Sequence, residues 1–337
     1  MTLAGDASPS RAAEGAALGQ HQWVPSLAIT SGVLVGDQAG FQRSFRFDGE
    51  TGTTSQLRKP VDGDDRAVTP YVGGAVEILT PALLPHVRFF AAGEVLPTFG
   101  PERQLAQEGQ ASRIRGPDVG AVLASEEDSN HFTEGKPGQD TGPRPIGKAF
   151  GQKEANGQGM RTTAQLDQLA FGAKLGVSFA FEYRGREIRI KPSIGWIHYK
   201  VDVKGYMVDP TCLVTGNSTT CTNTYNNIGP PPHALTSTGV LRESILSGHD
   251  SGTFDGIGPG VDLEMQTGRL GPLGTALFIG LHGYYQPGDR DIDFYATRSF
   301  NDAFGNDTDT ANWHTRVAPW IYRAGVGFRL QWLGSGD

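Results

Sequence analysis

The sequence predicts an all-β protein: an eight-stranded antiparallel transmembrane β-barrel with short turns at one end and long loops at the other. Three observations carry this reading. Apolar and polar residues alternate with a period of two along eight separate stretches. No run of 18 apolar residues is present to serve as a helical span. The connections between the stretches alternate without exception between long and short.

The stretches fall at roughly 23–36, 66–79, 86–97, 162–183, 187–208, 252–266, 274–287 and 315–333. In the second, Val72, Val76 and Ile78 oppose Tyr71, Ala75 and Glu77; in the third, Val87, Phe89 and Val95 oppose Arg88 and Glu94. The fourth sets Phe171, Leu175, Phe179 and Phe181 against Lys174 and Glu182, and the fifth sets Ile188, Ile190, Ile194 and Trp196 against Arg189 and Lys191. The sixth and seventh oppose Ile257, Val261, Leu263, Leu277, Ile279 and Leu281 to Asp262, Glu264 and His282. In the eighth, Val326, Phe328, Leu330 and Trp332 alternate with Arg323, Arg329 and Gln331.

The segments TPALLP, YRGRE and TGRLGPL are the short turns, and roughly 37–65, 98–161, 209–251 and 288–314 are the long connections. A soluble sandwich has no reason to gather every long loop at one end. An outer-membrane barrel does, with short periplasmic turns and long extracellular loops. Closure also bonds every backbone group internally, as hydrocarbon requires. Tyr322 to Trp332 is ten steps, roughly 33 Å of strand, which a tilt of about 40° reduces to an apolar band about 25 Å tall. Trp320, Tyr322 and Trp332 are therefore expected as aromatic girdles. The chain reads as a flexible N-terminal arm, 1–21, followed by one barrel domain, 22–333. No signal peptide is visible at the N-terminus.

Composition agrees. The net charge of −7 argues against nucleic acid as a partner, and 47 glycines among 337 residues suit crowded β-structure better than helix. Cys212 and Cys221 lie nine residues apart in a polar segment, where a local disulfide would form in an oxidising compartment; free surface thiols are the alternative.

The last strand, with Gly327, Leu330 and Trp332, and the hairpin PYVGGAVEIL…PHVRFFAAGEVLPTFG resemble the small outer-membrane β-barrel proteins of Gram-negative bacteria, the group that includes the OmpA-type and OmpW-type barrels. In that group the C-terminal strand is the signal presented to the barrel assembly machinery; here five residues follow Trp332. The resemblance implies an outer-membrane location, and lipid, lipopolysaccharide and that machinery as partners. An extracellular partner would be met through the long loops.

With the apolar faces toward lipid, Glu77, Arg88, Glu94, Lys174, Glu182, Arg189, Lys191, Asp262, Glu264, Arg323 and Arg329 line the lumen with His282. Eight strands enclose just enough space for side chains, and buried charges must pair. The lumen is then a salt-bridged plug or a narrow path for ions and small solutes. His282 is expected as a satisfied lumen histidine, and no catalytic site, metal or cofactor is expected. Asn301, Asp302, Asn306, Asp307 and Asp309 carry calcium-like oxygens but lack EF-hand order. The expected function is structural or surface-interactive, with slow passive transport if the lumen is open. A barrel enzyme acting on lipid or peptide would instead show a catalytic cluster at the extracellular rim. A soluble ligand-binding barrel would turn its apolar faces inward around a pocket.

Overall fold

A computed structural model describes residues 22–109, 159–213, 240–302 and 305–333. They form eleven strands: β1 (Val24–Asp48), β2 (Thr53–Leu79), β3 (Val87–Pro97), β4 (Arg103–Gly109), β5 (Gly159–Leu166), β6 (Leu169–Tyr183), β7 (Arg186–Leu213), β8 (Val240–Leu270), β9 (Leu273–Tyr285), β10 (Asp291–Asp302) and β11 (Gly305–Trp332). Eight of them close a ring in the order β1-β2-β3-β6-β7-β8-β9-β11, with β11 returning to β1. The remaining three are continuations: β4 carries β3 onward, β5 leads into β6, and β10 follows β9. All pairings are antiparallel.

The ring turns tightly at one end. Arg184 and Gly185 join β6 to β7 with φ of 52° and 72°, the left-handed pair that a two-residue hairpin turn needs. Gly271, with φ of 61°, and Pro272 join β8 to β9.

At the other end two of the predicted long loops, 37–65 and 288–314, are largely strand among the described residues. Residues 37–65 continue β1 and β2 to a turn at 49–52, where the Asp48 carboxylate accepts the amides of Glu50 (2.9 Å) and Thr51 (3.0 Å). In the other, β10 pairs antiparallel with β11 from Asp291↔Arg316 to Asp302↔Gly305. Cys212 lies in β7, whereas Cys221 and the proposed disulfide fall outside the described residues, as does the arm 1–21.

The side-chain alternation divides at the level of Trp320. Below it the outward face is apolar and bare: Ile29 (68% exposed), Leu175 (66%), Ile194 (64%) and Leu281 (56%) have no protein cover. Water would not tolerate so continuous an apolar surface; acyl chains supply its environment. Trp320 stacks on Tyr322 (centroids 6.2 Å) and packs against Tyr285 (5.4 Å) at the upper edge, and Trp332 lies exposed at the lower. Above Trp320 the faces exchange chemistry. Outward positions become polar and paired, as in Asp37–Arg66 (2.9 Å) and Asp291–Arg316 (2.7 Å). Inward positions become mixed, with Val201, Val203, Met207, Leu246 and Trp313 buried alongside Gln42, Ser44, Arg46 and Asp309.

The upper ring also splits. Among the described residues no ladder joins β2 to β4, or β10 to β8. Two four-stranded sheets result, β10-β11-β1-β2 and β4-β5-β7-β8, packed face to face. Leu105 of β4 fills the space over Gly40 and Gly63, while Phe294 and Ile292 of β10 cover Gly248 and Gly252 of β8.

The lipid face has a direct test. Val326, at mid-belt opposite Ser31 and Ile279, is expected to cost about 2–4 kcal/mol when changed to Arg, measured by denaturant unfolding in lipid vesicles. Thr308→Arg, on the same strand face above the girdle, is expected to stay within about 0.5 kcal/mol.

Candidate functional site: an ion-paired lumen

The lumen below the girdle is built in layers by cross-strand register. The lowest layer takes Glu77 from β2, Arg189 and Lys191 from β7, Glu264 from β8, and Arg329 and Gln331 from β11. Arg329 donates to Glu77 (2.6 Å) and to Glu264, so one guanidinium ties β2 to β8. Lys191 donates to Glu77 and reaches Glu264 at 3.5 Å. Arg189 bonds Glu264 (3.3 Å) and the Gln331 side-chain oxygen (3.0 Å), and Gln331 donates in turn to Glu264. The Lys191 ammonium sits 4.6 Å from the centre of the Phe90 ring and the Arg329 guanidinium 4.9 Å from that of Phe278, which adds cation–π attraction in a desolvated site.

The next layer centres on Asp262, which accepts from Lys174 (2.7 Å) and lies 3.0 Å from His282 Nε2. Above it Arg323 pairs with Glu94, donates to the Tyr71 hydroxyl (2.8 Å) and lies over the Tyr71 ring. Tyr284 stacks on His282 at 6.0 Å.

Glycine makes these side chains fit. Glu94, Asp262, His282 and Lys174 each face a glycine in the neighbouring ladder: Gly172, Gly280, Gly260 and Gly195. A Cβ at Gly172, Gly280 or Gly260 would fall within 2.6 Å of the side chain opposite it.

The structure thus brings together Glu77, Glu94, Lys174, Arg189, Lys191, Asp262, Glu264, His282, Arg323 and Arg329. Arg88 is half-buried at the periplasmic rim, and Glu182 is exposed beside the β6–β7 turn, outside the lumen. Both lie on the lumen-side parity of their strands, but the lumen ends before Glu182 does. Tyr71, Phe90, Phe278 and Gln331 also belong to the network, beyond the charged residues that alternation points to. Their inward parity was legible; their contacts across the ring were not.

Further up, the two sheets touch. Trp313 of β11 lies against Gly205 of β7, where a Cβ would approach the indole to 2.2 Å, and it stacks on Phe294 (5.3 Å). At the top Asp309 is held by Arg46 through two bonds (2.6 and 2.7 Å) and accepts from Ser244. Asp309, grouped by sequence with calcium-like ligands, is therefore the acceptor of a buried ion pair. Gly327 receives the Phe278 ring, and Leu330 and Trp332 lie on the outward face.

No family model matches the chain, and no curated protein matches it. Among solved structures it is similar to Ail, the attachment invasion locus protein of Yersinia pestis: 6% identity, 88% of this chain and 97% of that one covered, TM-score 0.24. It is similar to the outer membrane protease OmpT of Escherichia coli at 10% identity, covering 90% and 96%, TM-score 0.23. For the outer membrane protein OprG of Pseudomonas aeruginosa the figures are 10%, 90%, 95% and 0.18. At these TM-scores the likeness carries no argument. The fold stands on its own ladders and belt: a closed antiparallel ring with a lipid-facing apolar band, the architecture of outer-membrane barrels.

Two measurements probe this chemistry. Glu264→Ala leaves Arg189, Lys191 and Arg329 without their shared acceptor. It is expected to cost about 3–5 kcal/mol, seen as a lower temperature for the loss of heat-modifiable gel migration. Outside the membrane, the hydrogen bonds from Arg316 hold the Asp291 carboxyl below its ordinary value. That pair's contribution is present above the ordinary carboxylate range and is lost as pH falls through the depressed value. An NMR titration should place the Asp291 midpoint below about 3.9, and Arg316→Gln should raise it.

Proposed function

We propose that the protein is a sealed outer-membrane barrel with a structural and surface-interaction role, acting through its extracellular half and not as a conduit. The carrying observation is the filled lumen. Glu77, Glu94, Asp262 and Glu264 face Lys174, Arg189, Lys191, Arg323 and Arg329, all buried, and Trp313 crosses to the opposite wall above them. Opening an ion path would break several charge pairs at once, each costly to leave uncompensated in a low-dielectric interior. His282 is paired with Asp262 inside this plug, where no external substrate reaches it, so the reading does not include catalysis. Lipid and lipopolysaccharide surround the belt, and the strand ending in Gly327, Leu330 and Trp332 is what the chain offers to the barrel assembly machinery. Planar-bilayer recording of the refolded protein is expected to show no unitary openings. Reproducible conductance steps would overturn the sealed-barrel reading.

A further inference from the structure

The outward face of β10-β11-β1-β2 above the girdle differs from the rest of the wet surface. Cross-strand register sets its rows: Tyr295–Asn312–Arg43, then Thr297–Thr310–Phe45–Gln56, then Ser299–Thr308–Phe47–Thr54. The intervening positions Gln42, Ser44, Arg46, Asp309, Ala311 and Trp313 are buried, so the rows point away from the core. Tyr295 is 72% exposed and Phe47 46%, in water, beyond the reach of acyl chains. Around them the groups are hydroxyls, amides and the exposed Arg43 guanidinium, which lies 5.6 Å from the centre of the Phe45 ring, with Ser299 and Thr308 hydrogen-bonded at 3.1 Å. The three rows themselves hold no carboxylate; Asp37, Asp62, Asp64, Asp291 and Asp293 lie in the rows below, and Glu50 is exposed in the turn above.

Exposed rings set among hydroxyls, amides and one guanidinium mark an interaction surface. The chemistry suits a ligand that offers apolar C–H faces for the rings and many hydroxyls for Thr, Ser and Asn. The position selects its source. This face continues the lipid-facing wall of β1 and β11 past Trp320, beyond one register shift between Gly36 and Gln38. Phe41 lies five residues beyond Gly36 and Phe47 eleven, so at about 3.3 Å per residue and about 40° of tilt the rings stand roughly 13 to 28 Å above the acyl boundary. In an outer membrane that layer holds the sugars of the outer-leaflet glycolipid.

We propose that the β10-β11-β1-β2 face binds the saccharide chain of the glycolipid surrounding the barrel, with Phe47 and Tyr295 as stacking groups and the Thr, Ser and Asn rows as hydrogen-bonding partners. The proposal rests on the outer-membrane reading above.

The test uses the full chain in phospholipid nanodiscs, titrated with saccharide released from Gram-negative outer-leaflet glycolipid and freed of its lipid. Amide NMR shifts report the site, and Phe47→Ser/Tyr295→Ser is the variant. Saturable shifts are expected in β1, β10 and β11, with affinity at least tenfold weaker in the variant. Unchanged heat-modifiable migration certifies that the variant is folded. If the barrel inserts and is electrically silent but the saccharide leaves these strands unshifted, or binds the variant equally well, this proposal falls while the sealed-barrel reading stands. Self-association through this face, seen by native mass spectrometry as a dimer abolished in the variant, would likewise overturn it in favour of a second copy. A chain that fails to insert sinks the outer-membrane reading first.

Discussion

The ladder between the first and last strands is the constraint on which everything else depends. In hydrocarbon no sheet edge can be left open, because each unbonded amide or carbonyl costs several kcal/mol. The β1–β11 pairing meets that demand from Ser26↔Gln331 to Gly36↔Ile321, and after one irregularity it continues to Asp48↔Asp307. Once this register is set, side-chain parity follows around the ring. A slip of one residue would turn Arg323 and Arg329 to lipid and Ile29 and Leu27 to the lumen. Belt and plug therefore hold the same register from opposite sides: the belt rejects charge outside, and the plug needs each charge opposite its partner.

A ring of eight strands leaves little interior, and glycine makes it sufficient. Phe278 lies over Gly327, Tyr284 over Gly195 and Gly256, and Trp313 over Gly205. A methyl group at these positions would meet a ring or the backbone opposite. The abundance of glycine is thus a packing requirement of a narrow barrel whose lumen carries large side chains, more than a matter of turns. Left-handed φ is needed at a few turn positions such as Gly185 and Gly271.

The parts legible in the sequence were those governed by alternation in lipid. Arg323 and Arg329 against Val326 and Phe328 in β11, or Lys191 against Ile190 in β7, announce which side meets acyl chains, and short turns such as YRGRE announce a neighbouring antiparallel strand. Two features were not legible, each for a physical reason. Residues 37–48, DQAGFQRSFRFD, form strand in which the alternation is reversed from that of a water-exposed sheet, with Phe41, Phe45 and Phe47 outward and the polar Gln42, Ser44 and Arg46 inward, so the stretch reads as a polar loop. Partner choice in the lumen was also hidden. Arg329 meets Glu77 and Glu264 from two different strands, and that depends on the stagger of the whole ring, which no local pattern encodes.

The same strands therefore fold in two solvents. Below Trp320 they are polar inside and apolar outside, and the interior coheres through ion pairs. Above it they are mainly polar outside and mixed inside, and the interior coheres both by packing, as between Trp313, Met160, Met207 and Leu246, and by the buried Arg46–Asp309 pair. On β9 and β11 the exchange is marked on the outside by Tyr285, Trp320 and Tyr322. Depth in the membrane is consequently specified as firmly as register. Sinking the barrel by one pleat would draw Asp37, Asp255 and Asp291 toward hydrocarbon, and raising it would bare Leu281 and Ile257 to water. Neither error has a compensating contact, so the height at which the extracellular sheets stand above the membrane is itself a product of the fold.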